Sequence, residues 1–119
     1  MAKGEYTHVE FPADDVERAK RFYAAVAGWE FGEMEGSPDY WLFQNTETTG
    51  GAIGKRGDSV GQGLRLYLNV ELLEAAVAAA EANGGSLITP PSVVPGFGRY
   101  AVVNDSEGSE IGLWESAPR

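Results

Sequence analysis

Thr7-His8-Val9-Glu10-Phe11-Pro12-Ala13-Asp14-Asp15-Val16-Glu17-Arg18-Ala19 opens a segment that returns, loosely, 57 residues later. The second copy is Leu64-Arg65-Leu66-Tyr67-Leu68-Asn69-Val70-Glu71-Leu72-Leu73-Glu74-Ala75-Ala76. At that offset Val16 falls on Leu73, Glu17 on Glu74, Ala19 on Ala76 and Gly28 on Gly85. A repeat of this size predicts two similar modules, with a site expected where they face each other. The residues at equivalent places, His8 and Arg65, then bear directly on function.

Alternation in both copies supports the pairing. Val9 and Phe11 point one way from a short strand, and His8 and Glu10 the other. In the second copy Leu66, Leu68 and Val70 share one face while Arg65, Tyr67 and Asn69 share the opposite one. Each apolar face is expected under its own module's helix. The polar-aromatic faces are left to line a common cup.

Outward from this pair, the order is strand, helix, three strands, twice. Asp14 with Glu17 reads as a capping pair opening the first helix. Val16, Ala19, Tyr23 and Val26 recur at helical spacing with Phe22 beside them, and Gly28 closes the helix as a left-handed cap. Strand-like runs follow at Trp29 to Glu33, Tyr40 to Asn45 and Ala52 to Lys55. A polar connector, 57–63, separates module one (about 5–56) from module two (about 64–117). There Leu73, Val77 and Ala80 mark a helix ending at Asn83-Gly84-Gly85. Strands are predicted at Ser86 to Thr89, Arg99 to Val103 and Glu110 to Trp114. A Pro/Gly-rich loop, Pro90 to Gly98, lies among them. The predicted class is α+β: two βαβββ modules pairing curved mixed sheets.

Composition narrows the function. The chain has 119 residues, enough for one domain with a real core. Its net charge of −9, from 18 acidic and 9 basic residues, repels phosphate backbones and anionic membranes. Nucleic acid and membrane partners are therefore not expected. No apolar run approaches the ~18 residues that span a bilayer. Met1-Ala2-Lys3-Gly4-Glu5 lacks the apolar stretch of a secretory signal, so a cytoplasmic location is expected. With no cysteine, disulfides, thiolate metal sites and a cysteine nucleophile are excluded.

The order of motifs resembles the vicinal oxygen chelate superfamily, which includes glyoxalase I, bleomycin-resistance proteins and extradiol dioxygenases. In module one the likeness rests on Asp14-Asp15-Val16, Phe22-Tyr23 and Gly28-Trp29. Module two adds Ala82-Asn83-Gly84-Gly85, Pro95-Gly96-Phe97-Gly98, Asp105-Ser106-Glu107-Gly108 and Ile111-Gly112-Leu113-Trp114-Glu115. It covers nearly the whole chain and is far more specific for fold than for activity. The resemblance implies a homodimer as the assembly.

Metal-dependent members of that superfamily take four ligands from the first and last strands of each module. The resemblance puts the first of these at His8, 14 residues before Phe22, and its counterpart at Arg65. The last-strand positions fall at about Gly54 and Gly112, in the matching pairs Ile53-Gly54 and Ile111-Gly112. Only one of the four holds a ligand residue. Zinc needs three or four N or O donors at about 2.0–2.2 Å, whereas glycine offers no side-chain donor and a guanidinium repels the ion. His8 is moreover the chain's single histidine. No metal site in the family position, and no cofactor, is expected; a divalent metal on relocated ligands is the alternative.

The ligand-lining candidates are then His8, Glu10, Arg65, Tyr67, Asn69, Phe97 and Trp114, with Trp41 of unresolved direction. His8 is a hydrogen-bonding or proton-transferring group, or a relic of an ancestral ligand. Glu10 accepts a proton or pairs with Arg65. If the chain is an enzyme, these two are its catalytic candidates. Arg65, a rigid five-donor fork, anchors a carboxylate, phosphate or enolate, or is tied up by Glu10 or Glu110. Phe97, between two glycines, is placed to close over a ligand.

The expectation is a metal-free cup binding a small, partly aromatic molecule, with an anionic one as an option. Two other readings stay open. One is a metal-dependent lyase, isomerase or dioxygenase of the same superfamily; the other is a non-catalytic interaction domain.

Overall fold

The computed structural model describes residues 3–117. The chain runs β1 (Tyr6–Ala13), α1 (Val16–Ala27), β2 (Gly32–Met34), β3 (Ser37–Gln44) and β4 (Gly50–Lys55). It continues β5 (Arg65–Asn69), α2 (Leu73–Ala82), β6 (Ser86–Val94), β7 (Gly98–Asn104) and β8 (Glu110–Ser116). This is βαβββ twice, an α+β fold. The first compact unit is Thr7–Arg65; the second is 66–117 together with 3–6.

In the first unit the strands lie in the order β2-β3-β4-β1. β1 is parallel to β4, and the other neighbours are antiparallel. The alternation of β1 decides what packs where. Phe11 meets Tyr23 of α1 edge-on at 5.2 Å and contacts Trp29 and Phe43. Trp29 stacks on Phe43 at 3.9 Å, and Ile53 is wholly buried. Full burial of a side chain such as Ile53 contributes roughly 1.5–3 kcal/mol. Trp41 also faces the helix, where Lys20 Nζ sits 3.2 Å from its ring centroid. That contact settles its direction away from the polar face.

Four local expectations are corrected. The cap of α1 is Asp15, whose carboxylate accepts from Arg18 N at 3.0 Å. Asp14 instead pairs with Arg56 at 2.9 Å. Gly28 does close the helix, at φ 73°. Phe22 and Val26 are exposed, because α1 rests on the sheet through Tyr23 and the Lys20 stem. β2 starts at Gly32 rather than Trp29, since Trp29 is used as core filler. The connector is more than a polar spacer: it bends back so that Ser59 Oγ accepts from Lys55 N at 2.8 Å and Val60 is buried.

The second unit repeats the plan as β5-β8-β7-β6. β5 is parallel to β8, with antiparallel β7 and β6 beyond. Leu68 and Val70 join Leu73, Val77, Ala101, Val103 and Leu113 in the core under α2. Leu72 gives α2 no side-chain cap. A remote one replaces it: Glu115 of β8 accepts from Leu73 N at 2.8 Å while holding Arg99, which also grips Glu74. The expected Pro90–Gly98 loop is largely strand. β6 continues through Pro90 and Pro91 to Val94 with register shifts on either side of Thr89. An outermost strand tolerates prolines because its outward N–H groups need no partner.

Candidate functional site

Module one gathers its polar groups on the face away from α1. Along β1, His8 sits opposite Gly50, Glu10 opposite Ala52 and Pro12 opposite Gly54; along β3, Tyr40 is opposite Gly54. On this face β4 presents only Gly50, Ala52 and Gly54 between the flanking strands. Tyr40 crosses over them, with its ring running beside Gly54. Its hydroxyl donates to Glu10 Oε2 at 2.7 Å and lies 2.7 Å from His8 Nε2. Glu10 Oε1 takes Arg65 Nη1 at 3.3 Å, and both of those side chains are largely buried. Arg65 is the first residue of β5 and belongs to this unit.

His8, Glu10 and Arg65 therefore come together, with Tyr40 as the member that sequence reading missed. Burial pushes the His8 imidazole below its ordinary value, against a smaller opposing pull from the Glu10 carboxylate. The pairing of Glu10 with Arg65 is one of the two alternatives foreseen for each residue. It replaces part of the hydration that these charges give up.

Module two places Tyr67, Asn69 and Trp114 on one face. Tyr67 is across from Gly112, and Asn69 across from Trp114. Tyr100, opposite Trp114, adds an aromatic that sequence reading missed and meets Tyr67 edge-on at 6.3 Å. Tyr67 and Asn69 are buried. Phe97 stands apart at the tip of the β6–β7 hairpin, exposed, with its N–H donating to Val94 O.

The glycine positions are already filled. A Cβ on Gly112 would strike the Tyr67 ring. One on Gly54 would lie 2.6 Å from Val60 Cγ1 and 2.8 Å from Ser59 Oγ. The ladders also revise the match between modules. Tyr67 corresponds to Glu10, so Gly112 corresponds to Ala52 rather than to Gly54. Neither residue offers a donor. Of the positions where relatives hold a metal, one carries an imidazole engaged with Tyr40, and one carries a guanidinium paired with Glu10. The remaining positions hold residues with no donor atom in the side chain. This set does not fit a divalent ion. Among the described residues no group of three or more His, Asp or Glu side chains converges elsewhere as a metal site.

A repeated βαβββ module with a polar first strand is the plan of the glyoxalase-like proteins. The family model for the glyoxalase-like domain matches residues 8–114, and the chain belongs to that family, within the vicinal oxygen chelate superfamily. A glyoxylase-like domain-containing protein of Didymella fabae is 30% identical over 114 residues, covering 89% of each chain. CFP32 of Mycobacterium bovis, named for glyoxylase, is 29% identical over 113 residues; the match takes 92% of this chain and 43% of that longer protein. Among solved structures, methylmalonyl-CoA epimerase from Mycobacterium tuberculosis aligns with TM-score 0.72 at 19% identity, covering 97% of this chain and 89% of the other. A likeness at that identity shows the fold alone.

Proposed function

We propose that this chain is a metal-independent member of the family that binds a small, partly aromatic organic molecule. In this reading the ligand lies against the polar face of the first unit, with Arg65 anchoring it where it is anionic. The observation that carries the reading is the hydrogen-bond chain from His8 through Tyr40 and Glu10 to Arg65. In this reading the sole imidazole serves Tyr40, and its neighbouring carboxylate serves Tyr40 and Arg65, rather than a shared ion. In the second unit Tyr100 and Trp114, half-buried beside the buried Tyr67, carry aromatic rings with polar edges of the kind that suits a flat organic ligand.

The test has two arms. Elemental analysis of the purified protein is expected to find no stoichiometric Ni, Zn, Fe or Mn. Metal present in the wild type and lost from His8→Ala would overturn the metal-free reading. A thermal-shift panel of small aromatic acids and their neutral analogues is expected to yield a stabilising compound, because preferential binding to the native state raises Tm. Arg65→Glu then weakens the acids selectively. A panel that stabilises nothing favours the non-catalytic interaction domain.

A further inference from the structure

Asn83-Gly84 is the chain's single Asn-Gly pair, and it stands where α2 hands over to β6. Residues 81–84 are all exposed. Asn83 caps the helix: its Nδ2 donates to Ala79 O at 2.8 Å, and its backbone N–H donates to Ala80 O at 3.1 Å. Gly85 N donates to the same Ala80 oxygen at 2.8 Å. Between these two donors, the Gly84 N–H meets no acceptor among the described residues. Gly84 lies at φ 92°, a conformation that favours glycine, and it has no side chain to fend off the neighbouring carboxamide.

We propose that Asn83 is a self-modification site, with its own carboxamide as the substrate and the Gly84 amide nitrogen as the nucleophile. That nitrogen gives up its proton and bonds to Asn83 Cγ. The Cγ–Nδ2 bond breaks, ammonia leaves, and a succinimide ring closes. Water then opens the ring: addition at Cγ yields aspartate, and addition at the main-chain carbonyl yields isoaspartate. No electrons are exchanged. The carboxamide must first leave Ala79 O, and the end of a helix is where such local opening costs least.

The products undo the cap. A carboxylate has no hydrogen to offer Ala79 O. It also places a negative charge at the carbonyl end of α2, whose last turn holds no basic residue. The isoaspartyl form adds a methylene to the main chain inside the turn that Gly85 closes on Ala80. Space there is short, since even a Cβ on Gly85 would lie 2.5 Å from Asn104 O. The reaction is a one-way loosening of the α2–β6 junction, whatever the polar face of the first unit binds.

Ageing the purified chain in mildly alkaline buffer tests this, with peptide mapping for the mass gained when an amide becomes an acid. Residue 83 is expected to convert ahead of Asn45, Asn69 and Asn104, which precede the bulkier Thr46, Val70 and Asp105. Enzymatic methylation of the isoaspartyl carboxyl reads that product, and Asn83→Gln is expected to abolish the signal. A residue 83 left intact, or converted no faster than the exposed Asn45, would overturn the proposal. So would an isoaspartyl signal that persists in Asn83→Gln. The converted chain, separated on ion exchange by its extra negative charge, should melt below the unconverted chain. Asn83→Asp supplies the aspartyl product without ageing and is expected to show a lowered Tm as well. A Tm equal to that of wild type in both would remove the loss of the cap.

Discussion

Tyr67 lies directly across the β5–β8 ladder from Gly112, and its ring occupies the space that any Cβ at position 112 would need. The aromatic and the glycine are thus one packing decision made on two strands. Gly112→Ala is expected to destabilise the protein by about 1–3 kcal/mol, the usual cost of overpacking a filled site. Shrinking the ring with Tyr67→Leu in the same chain should return part of that loss. Urea denaturation of both variants measures it; additive effects would show that the two residues do not share the space.

Arg65→Met leaves the buried Glu10 carboxylate without its cation at 3.3 Å. Removing one member of a largely buried pair costs about 3–5 kcal/mol. Arg65→Met combined with Glu10→Gln is expected to cost less than Arg65→Met alone. A double-mutant cycle from chemical denaturation gives the coupling, and a coupling near zero would mean that the pair contributes no more than a surface bridge.

His8 predicts a pH dependence. Its folded pKa is held below the ordinary 6.5, so the unfolded chain binds the proton more readily. The associated stability is complete above 6.5 and is lost as pH falls from there through the lowered folded value. Wild type should lose stability over that window relative to His8→Gln. Parallel pH profiles for the two proteins would show the histidine to be irrelevant.

The Arg99 cluster works at more acidic pH and with the opposite kind of group. Hydrogen bonds from Arg99 hold Glu74 down to about 2, and Glu115 is lowered by Arg99 and by the Leu73 amide. Stability from these carboxylates is present above their ordinary range and fades as pH falls, for Glu74 through about 2. Arg99→Met is expected to raise the acid-unfolding midpoint. Thermal melts between neutral and strongly acid pH would reveal it; equal midpoints would argue against the cluster.

The strand parity of Val9 and Phe11 against His8 and Glu10 was legible in sequence because a two-residue period survives small errors of boundary. The same holds for Tyr67, Asn69 and Trp114. Tyr40 was hidden because its role depends on β3 lying beside β4, a pairing that local pattern does not encode. Trp41 had apolar neighbours on both sides, and only the approach of Lys20 from α1 shows which way it points. Asp14 and Asp15 are equally good caps by type; Arg56, far along the chain, claims the first and leaves the second to the helix. The last-strand match was legible only to within a residue or two, because Ile53-Gly54 and Ile111-Gly112 look alike while the ladders align Gly112 with Ala52.

The parallel pairing of β1 with β4 has a consequence for how the chain matures. A hairpin can close as soon as its second strand is made, but β1 finds no partner within its module until β4, about Lys55, has been synthesised. Until then Phe11 lacks the Ile53 side of its surroundings, and a ribosome would carry the first module as an open intermediate. Arrested nascent chains ending before Gly50 should accordingly be cleaved readily by protease. Chains with Arg65 clear of the exit tunnel should resist, and protection already present in the shorter set would show that α1 and the β2–β3 hairpin can assemble without the closing strand.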